Sequence, residues 1–341
     1  MKKDRLAIIY DLCQQTGEVL VEDLARELDL SQTTIRCDLQ KMEDMKLVHR
    51  FYGGAILNKD TQMEPTMNAK HLVNMQKKAV IVKDRLGLPN YMTMFYMEPG
   101  TYEPEDVPEL FKIRNKIVPA VLVSQFTNTM IKGVPASLPY QQPKHTISYD
   151  EAAAACGRKG KGWHLMTNTE FVYLLHEAEE LGHTIGGNTN YGSNSKNEQE
   201  SGVRYDSAGR TLTGCDPLTW SHDGTADGVF GLCGNFWEWV TGLRLHKGVV
   251  EYTPNNDAAV EGYTEKPDWT VAEVNGRPLK LYGNSAGDVV MSVAEEIEEN
   301  WEGCHMADLQ LEELDEVPEI AYKLGIVPHD WKHETAGLWG D

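Results

Sequence analysis

The sequence predicts an α+β chain in two parts. A small helical domain is expected over residues 1–58 and a larger, irregular domain over 91–341, joined at 59–90 by a polar linker that runs into a short helix or strand. Three observations lead there. Apolar residues recur at helical spacing through the first sixty positions. Further on, short strand-like runs are punctuated by proline, as in "IVPAVLVSQFTNTMI" and "GVPASLPYQQP". Residues 185–202, "IGGNTNYGSNSKNEQESG", are too rich in Gly, Asn and Ser for an element and read as a long surface loop. With 341 residues, 41% hydrophobic and 9% aromatic, the chain has material for two globular cores.

Composition also excludes classes of function. No apolar run is long enough to span a bilayer, and "MKKDRLAIIYDL" lacks the apolar stretch of a signal peptide, so a cytoplasmic protein without membrane contact is expected. Six scattered cysteines form no C-x-x-C pair, which argues against a zinc ribbon or a disulfide framework. A formal net charge of −20 opposes non-specific nucleic-acid affinity for the whole molecule. That acidity sits late, in "AEEIEENWEG" and "LQLEELDEVPE", whereas the first sixty residues are nearly balanced. Any DNA binding must be local.

In the first part, Leu6, Ile9 and Cys13 make one helical stripe, and Val21, Leu24, Ala25 and Leu28 make a second. Asp29 and Leu30 form a turn. Ser31 is a suitable N-cap for a third helix whose inner face is Ile35, Leu39 and Met42. Two helices joined by a tight turn are a helix-turn-helix arrangement, and "LVHRFYGGAIL" reads as a strand, a Gly-Gly turn and a strand, the wing of a winged helix. The candidate DNA contacts are Ser31, Gln32, Thr33, Thr34, Arg36, Gln40 and Lys41 on the helix and His49, Arg50 and Tyr52 on the wing.

The stretch "GEVLVEDLARELDLSQTTIRCDLQKMEDMKLVHRFYGGA" resembles the helix-turn-helix of DeoR-type transcriptional regulators, over residues 4–57. The resemblance implies double-stranded DNA as partner, and paired half-sites imply a homodimer. Two departures matter. Cys37 stands where the family usually has a second arginine, and Leu20 where a capping Ser or Thr is common. The sugar-phosphate-sensing α/β domain that normally follows in that family is not evident: residues 61–341 show no regular βαβ rhythm, no G-x-G-x-x-G and no G-x-x-x-x-G-K-[ST].

In the second part, two helices are expected, Tyr149 to Gly157 and Thr167 to Leu181, the latter capped by Thr167 or Asn168. "SYDEAAAACGRKGKGWHLMTNTEF" and "WSHDGTADGVFGLCGNFWEWVTGLRL" resemble the formylglycine-generating-enzyme (sulfatase-modifying-factor) variant of the C-type lectin fold, in particular its phage-encoded and diversity-generating-retroelement variable proteins. This implies an irregular C-type-lectin-like domain that binds an unknown ligand or protein partner. Family members finish with an Arg-Gly-Gly segment and a final strand that pairs with the first strand of the domain, whereas this chain stops at "HETAGLWGD", so either a truncated domain with an unpaired sheet edge or a tail supplied from elsewhere is expected.

Formylglycine-generating enzymes use a pair of cysteine thiolates to hold copper. Cys304 has no partner a few residues away, so no catalytic residues are expected, and a copper-dependent oxidase is the disfavoured alternative. His329 and His333 in "HDWKH" are one helical turn apart, a spacing more often solvated than ligating. In "GNFWEW", Asn235, Trp237, Glu238 and Trp239 are assigned to a structural corner with Glu238 buried between two indoles, where Asn235 and Glu238 are candidate oxygen donors for a structural calcium. No other cofactor is expected. The leading expectation is a non-enzymatic DNA-binding regulator with a lectin-fold binding domain; the alternative is a prophage ligand-binding protein with a vestigial winged helix.

Overall fold

The computed structural model describes residues 9, 12–13, 18–28, 30–44, 48–51, 53–57, 75–97, 107–114, 116–259, 268–297, 300–301 and 304–329. The chain divides into two compact units, Met1–Thr66 and Met67–Asp341.

In the first unit, β1 (Glu18–Leu20) leads directly into α1 (Val21–Glu27), followed by α2 (Gln32–Asp44), β2 (Val48–Phe51) and β3 (Gly54–Leu57). The helical stripes do what their spacing demands: Ile9, Cys13, Val21, Leu24, Ile35, Leu39 and Met42 are buried together with Val19, Val48 and Ala55. Ser31 caps α2, its Oγ accepting from the Thr34 amide at 3.1 Å. The wing forms as expected, with Phe51 opposite Gly54 and Gly53 in the turn at φ +100°, a conformation that favours glycine. The strand β1 was not legible. It adds three residues to the free edge of β3, giving the order β1-β3-β2.

The second unit begins inside the segment expected as linker. β4 (Met75–Lys83) and β5 (Pro89–Met97) form a long antiparallel hairpin, to which β6 (Ala120–Ser124) adds on the far side of β5. The reading of a linker as far as residue 90 is therefore corrected at its C-terminal end. Lys77, Lys78 and Lys83 break the apolar alternation of "MQKKAVIVK" and hide the strand, because their stems lie on the sheet while their charged ends find partners, Lys77 on Glu177 and Lys78 over the Tyr96 ring. Against this sheet packs a core of Phe95, Val121, Val123, Leu110, Phe111 and Leu174.

After a short hairpin of β7 (Thr129–Ile131) and β8 (Val134–Ala136) come the two expected helices, α3 (Tyr149–Gly157) and α4 (Asn168–Glu180). Each opens with a complete capping box, Ser148 with Glu151 and Thr167 with Glu170. Residues 185–202 are not simply a surface loop. They contain a hairpin, β9 (Ser193–Asn194) with β10 (Asn197–Ser201). Asparagine side chains do the work that a strand ladder would do elsewhere, as where Asn188 Nδ2 donates to the Gly209 carbonyl at 2.8 Å.

A second sheet follows, built from β11 (Leu243–His246), β12 (Val249–Tyr252), β13 (Thr270–Val271), β14 (Lys280–Gly283), β15 (Asp288–Ser292) and β16 (His305–Glu312). Its order is β11-β12-β14-β15-β16, with β13 also on β12, and β16 runs parallel to β15. The short helix α5 (Glu319–Lys323) covers it, contributing Ala321 to a core with Val250, Leu279, Met291 and Leu309. The last described strand thus lies in this second sheet. The first strand of the unit, β4, belongs to the other sheet and pairs on one side only among the described residues. No helix of the described residues is long and apolar enough to cross a membrane.

Candidate functional site

The face of α2 turned away from the core carries the polar residues that the sequence singled out. Ser31, Gln32, Arg36 and Gln40 are exposed and Thr34 is half-buried. Arg36 Nη2 donates to Gln32 Oε1 at 2.9 Å, an i, i+4 pair that holds the guanidinium along the helix surface. From the wing, Arg50 donates through Nη1 to Gln40 Oε1, which ties β2 to α2. Four of the expected contact residues are therefore brought onto one surface: Gln32, Arg36, Gln40 and Arg50. Thr33 and Lys41 lie in α2 and His49 in β2, with side chains outside the described residues, as is Tyr52 altogether.

The N-terminus of α1 is capped differently from what a family Ser or Thr would do. Leu20 makes no side-chain cap and is 43% exposed. The Val21 amide instead donates to the Gly53 carbonyl of the wing turn at 2.8 Å.

In the second unit the segment "GNFWEW" divides into two halves. Gly234 and Asn235 both take positive φ, +67° and +62°. A Cβ on Gly234 would lie 2.3 Å from the Asn188 carbonyl oxygen, so the backbones can approach only with glycine there. Asn235 Oδ1 accepts from the Thr211 amide and from Asn188 Nδ2, both at 3.0 Å, and Nδ2 donates to the Thr211 carbonyl. This half is a structural corner. With both of its Oδ1 lone pairs taken by N–H donors, Asn235 has none left to offer a calcium ion, and the expected pairing with Glu238 is corrected on that ground.

The second half is displayed. Trp237 is 103% exposed and Trp239 is 49% exposed, so Glu238 is not enclosed by two indoles as the sequence suggested. The physical reason is that Trp237 projects fully into solvent while Trp239 is held elsewhere, against Ile147 and Tyr149. Trp239 Nε1 donates to the Ile147 carbonyl at 2.9 Å and its ring meets Tyr149 edge-on at 5.9 Å. Phe236, Trp237, Glu238 and Trp239 border a cavity of about 200 Å³ whose deeper wall includes Phe126, Met166 and Phe230. Glu238 is exposed as a residue, yet the crowded walls around its carboxyl push its pKa up to about 7, opposed only by the hydrogen bond that Thr127 Oγ1 donates to it at 3.2 Å.

At the inner side of the same cavity, His164 Nε2 lies 2.9 Å from Glu170 Oε1. Burial works against charge on His164, but the Glu170 carboxylate outweighs it and holds the pKa above the ordinary histidine value. Glu170 also closes the capping box and accepts from Asn256 Nδ2 at 3.1 Å, so its position is fixed from three sides. Sequence reading missed this pair. The two residues stand six apart across a helix start, and nothing in the local pattern marks them as facing a cavity.

Residues 5–61 match the DeoR-like helix-turn-helix domain. Among curated relatives, the HTH-type transcriptional regulator GolR of Listeria innocua is 33% identical over 76 residues, covering 22% of this chain and 30% of that protein. The lactose phosphotransferase system repressor of Lactococcus lactis is 33% identical over 101 residues, 29% of this chain and 40% of the relative. The glycerol-3-phosphate regulon repressor of Escherichia coli is 32% identical over 99 residues, 29% of this chain and 38% of the relative. The chain thus spans well under half the length of each of these relatives. With cap, outward polar face and wing all in place around it, the matched segment identifies a DeoR-type helix-turn-helix domain at the N-terminus of this chain.

Proposed function

We propose that this chain is a DNA-binding transcriptional regulator whose second unit binds a ligand or partner without catalysing a reaction. The observation that carries the first half is the single exposed surface formed by Gln32, Arg36, Gln40 and Arg50 on a DeoR-like domain. Gln32, Thr33 and Thr34 read base edges in the major groove, while Arg36, Lys41 and Arg50 meet phosphates. Cys37 removes one cation from that set and weakens binding. The regulator acts as a homodimer on paired half-sites.

The second half rests on the open cavity beside Trp237, where aromatic walls stand beside polar groups such as Asn128, Lys144, His164 and Glu238, as small-molecule and peptide sites combine them. In this reading the unit is a C-type-lectin-like domain of the sulfatase-modifying-factor kind, used for binding. A non-catalytic role is supported by Cys304, which has no second cysteine a few residues away to complete a thiolate pair. The test is a mobility-shift titration of the full chain against duplex DNA from upstream of its gene. A specific shift that Arg36→Ala weakens supports the regulator reading; equal affinity for unrelated duplexes in parent and variant rejects it.

A further inference from the structure

We propose that His176, Glu179 and His329 form a binding site for a divalent transition-metal ion, zinc foremost, which fastens the segment after α5 to helix α4. His176 and Glu179 stand three apart near the end of α4 and so share one face of it. His329 arrives from far along the chain. One donor atom from each of the three lies within 4.8 Å of the others.

The first coordination layer is already half organised. Glu179 takes His329 from two directions: Oε1 accepts the His329 backbone amide at 3.2 Å, and Oε2 lies 2.9 Å from His329 Nδ1. His176 Nε2 lies 3.2 Å from the Tyr322 carbonyl oxygen, which can only accept. The Nε2 atom therefore carries the hydrogen, and Nδ1 is left with its lone pair. Holding one imidazole nitrogen on a backbone carbonyl while the other faces an ion is how proteins orient metal-binding histidines. The Tyr322 ring stacks on His329 at 5.2 Å and 12°, so α5 supplies both the carbonyl that sets His176 and the ring that sets His329.

Donor chemistry selects the ion. Two imidazoles and one carboxylate suit zinc and its neighbours, while calcium and magnesium want oxygen throughout. Donors bonded to a tetrahedral ion at about 2.0–2.1 Å sit roughly 3.4 Å apart. The widest separation here must close by about 1.4 Å, a distance that side-chain rotation spans. The ion takes the place of the proton between His329 Nδ1 and Glu179 Oε2, and that proton leaves to solvent. The His329 side chain is 51% exposed and that of Glu179 25%, so an entry path exists. Three protein donors leave one position for water.

A bare histidine–carboxylate pair is the competing explanation, since such pairs occur on surfaces without an ion. His246 and Glu251, 3.4 Å apart, provide that comparison within the same chain. The experiment is a competition titration of the chelator-stripped full chain with zinc sulfate against a chromophoric chelator. One zinc per chain is expected, with at least a tenfold loss of affinity in His329→Ala and in Glu179→Gln, and none in His246→Ala. His329 is exposed, so its alanine variant tests the site without opening a core; Glu179→Gln keeps the shape of the side chain while removing its charge. Zinc should also raise the melting temperature of the parent and leave that of His329→Ala unchanged. No zinc uptake by the parent, or uptake undiminished in both variants, overturns the assignment.

Discussion

The Val21 amide reaches across to the Gly53 carbonyl at 2.8 Å, so the wing turn caps the helix that Leu20 leaves uncapped. Two opposite effects follow. Leu20→Ser adds a side-chain acceptor and should stabilise the first unit by about 0.5–1 kcal/mol. A Cβ at Gly53 would meet no neighbouring atom within 4 Å, so the penalty of Gly53→Val is chiefly that of a φ of +100°, about 1–2 kcal/mol. Thermal melts of the two variants followed by far-ultraviolet circular dichroism check both signs. A neutral Gly53→Val would mean that the wing turn is not held in this conformation.

Duplex binding should depend steeply on salt. Losing one phosphate contact in Arg36→Ala lowers the magnitude of the log-affinity against log-salt slope by about one unit. Cys37→Arg restores a cation at the position where DeoR-type helices have one and should tighten binding. Fluorescence anisotropy at several salt concentrations measures both.

The second unit should be sensitive to acid. Lys77 Nζ lies 2.8 Å from Glu177 Oε1 and also pairs with Asp223, while buried His222 donates through Nε2 to Glu177 at 3.1 Å and accepts from the Val229 amide at Nδ1. Burial pushes the Asp223 pKa up, but the Lys77 ammonium and the Thr225 amide more than offset it and hold it at about 2, against an ordinary 3.8. Because the folded value is depressed, the unfolded chain binds the proton first. The stabilisation is present above pH 4 and is lost as pH falls toward 2. Melting temperature should drop across that window, less so in Asp223→Asn. Lys77→Met strands two carboxylates in the interior and should cost about 3 kcal/mol at neutral pH.

Glu238 titrates in the opposite sense. Its folded pKa of about 7 lies above the ordinary 4.5, so any stabilisation it brings is complete below pH 4.5 and is lost as pH rises through 7. Tryptophan fluorescence should change with a midpoint near pH 7, through the adjacent Trp237 and Trp239, and the transition should vanish in Glu238→Gln. A midpoint near 4.5 in the parent would place the carboxyl in open solvent.

What was legible in the sequence was local and periodic. Ile35, Leu39 and Met42 announce a helix by spacing alone, Ser31 and Thr167 announce helix starts, and the Gly-Gly pair announces the wing. The candidate DNA face followed at once, because a helix with one buried side must show the other. What failed was non-local. Asn235 is fixed by Asn188 and Thr211, partners 47 and 24 residues away, and no local pattern shows that its oxygen is already used. Lys77 looks like a solvent-facing residue until Glu177 and Asp223 arrive from elsewhere to receive it. Sequence spacing sets His329 beside His333, which lies outside the described residues, whereas the fold sets it against His176 and Glu179.

The most direct test of the central claim is anisotropy of the full chain on a labelled duplex from upstream of its gene, titrated at low and at physiological salt, beside Arg36→Ala and an unrelated duplex. The regulator account predicts tighter binding to the upstream duplex, a steep salt dependence, and a slope shallower by about one unit in the variant. Binding that is indifferent to sequence and unchanged by Arg36→Ala at every salt concentration would contradict it.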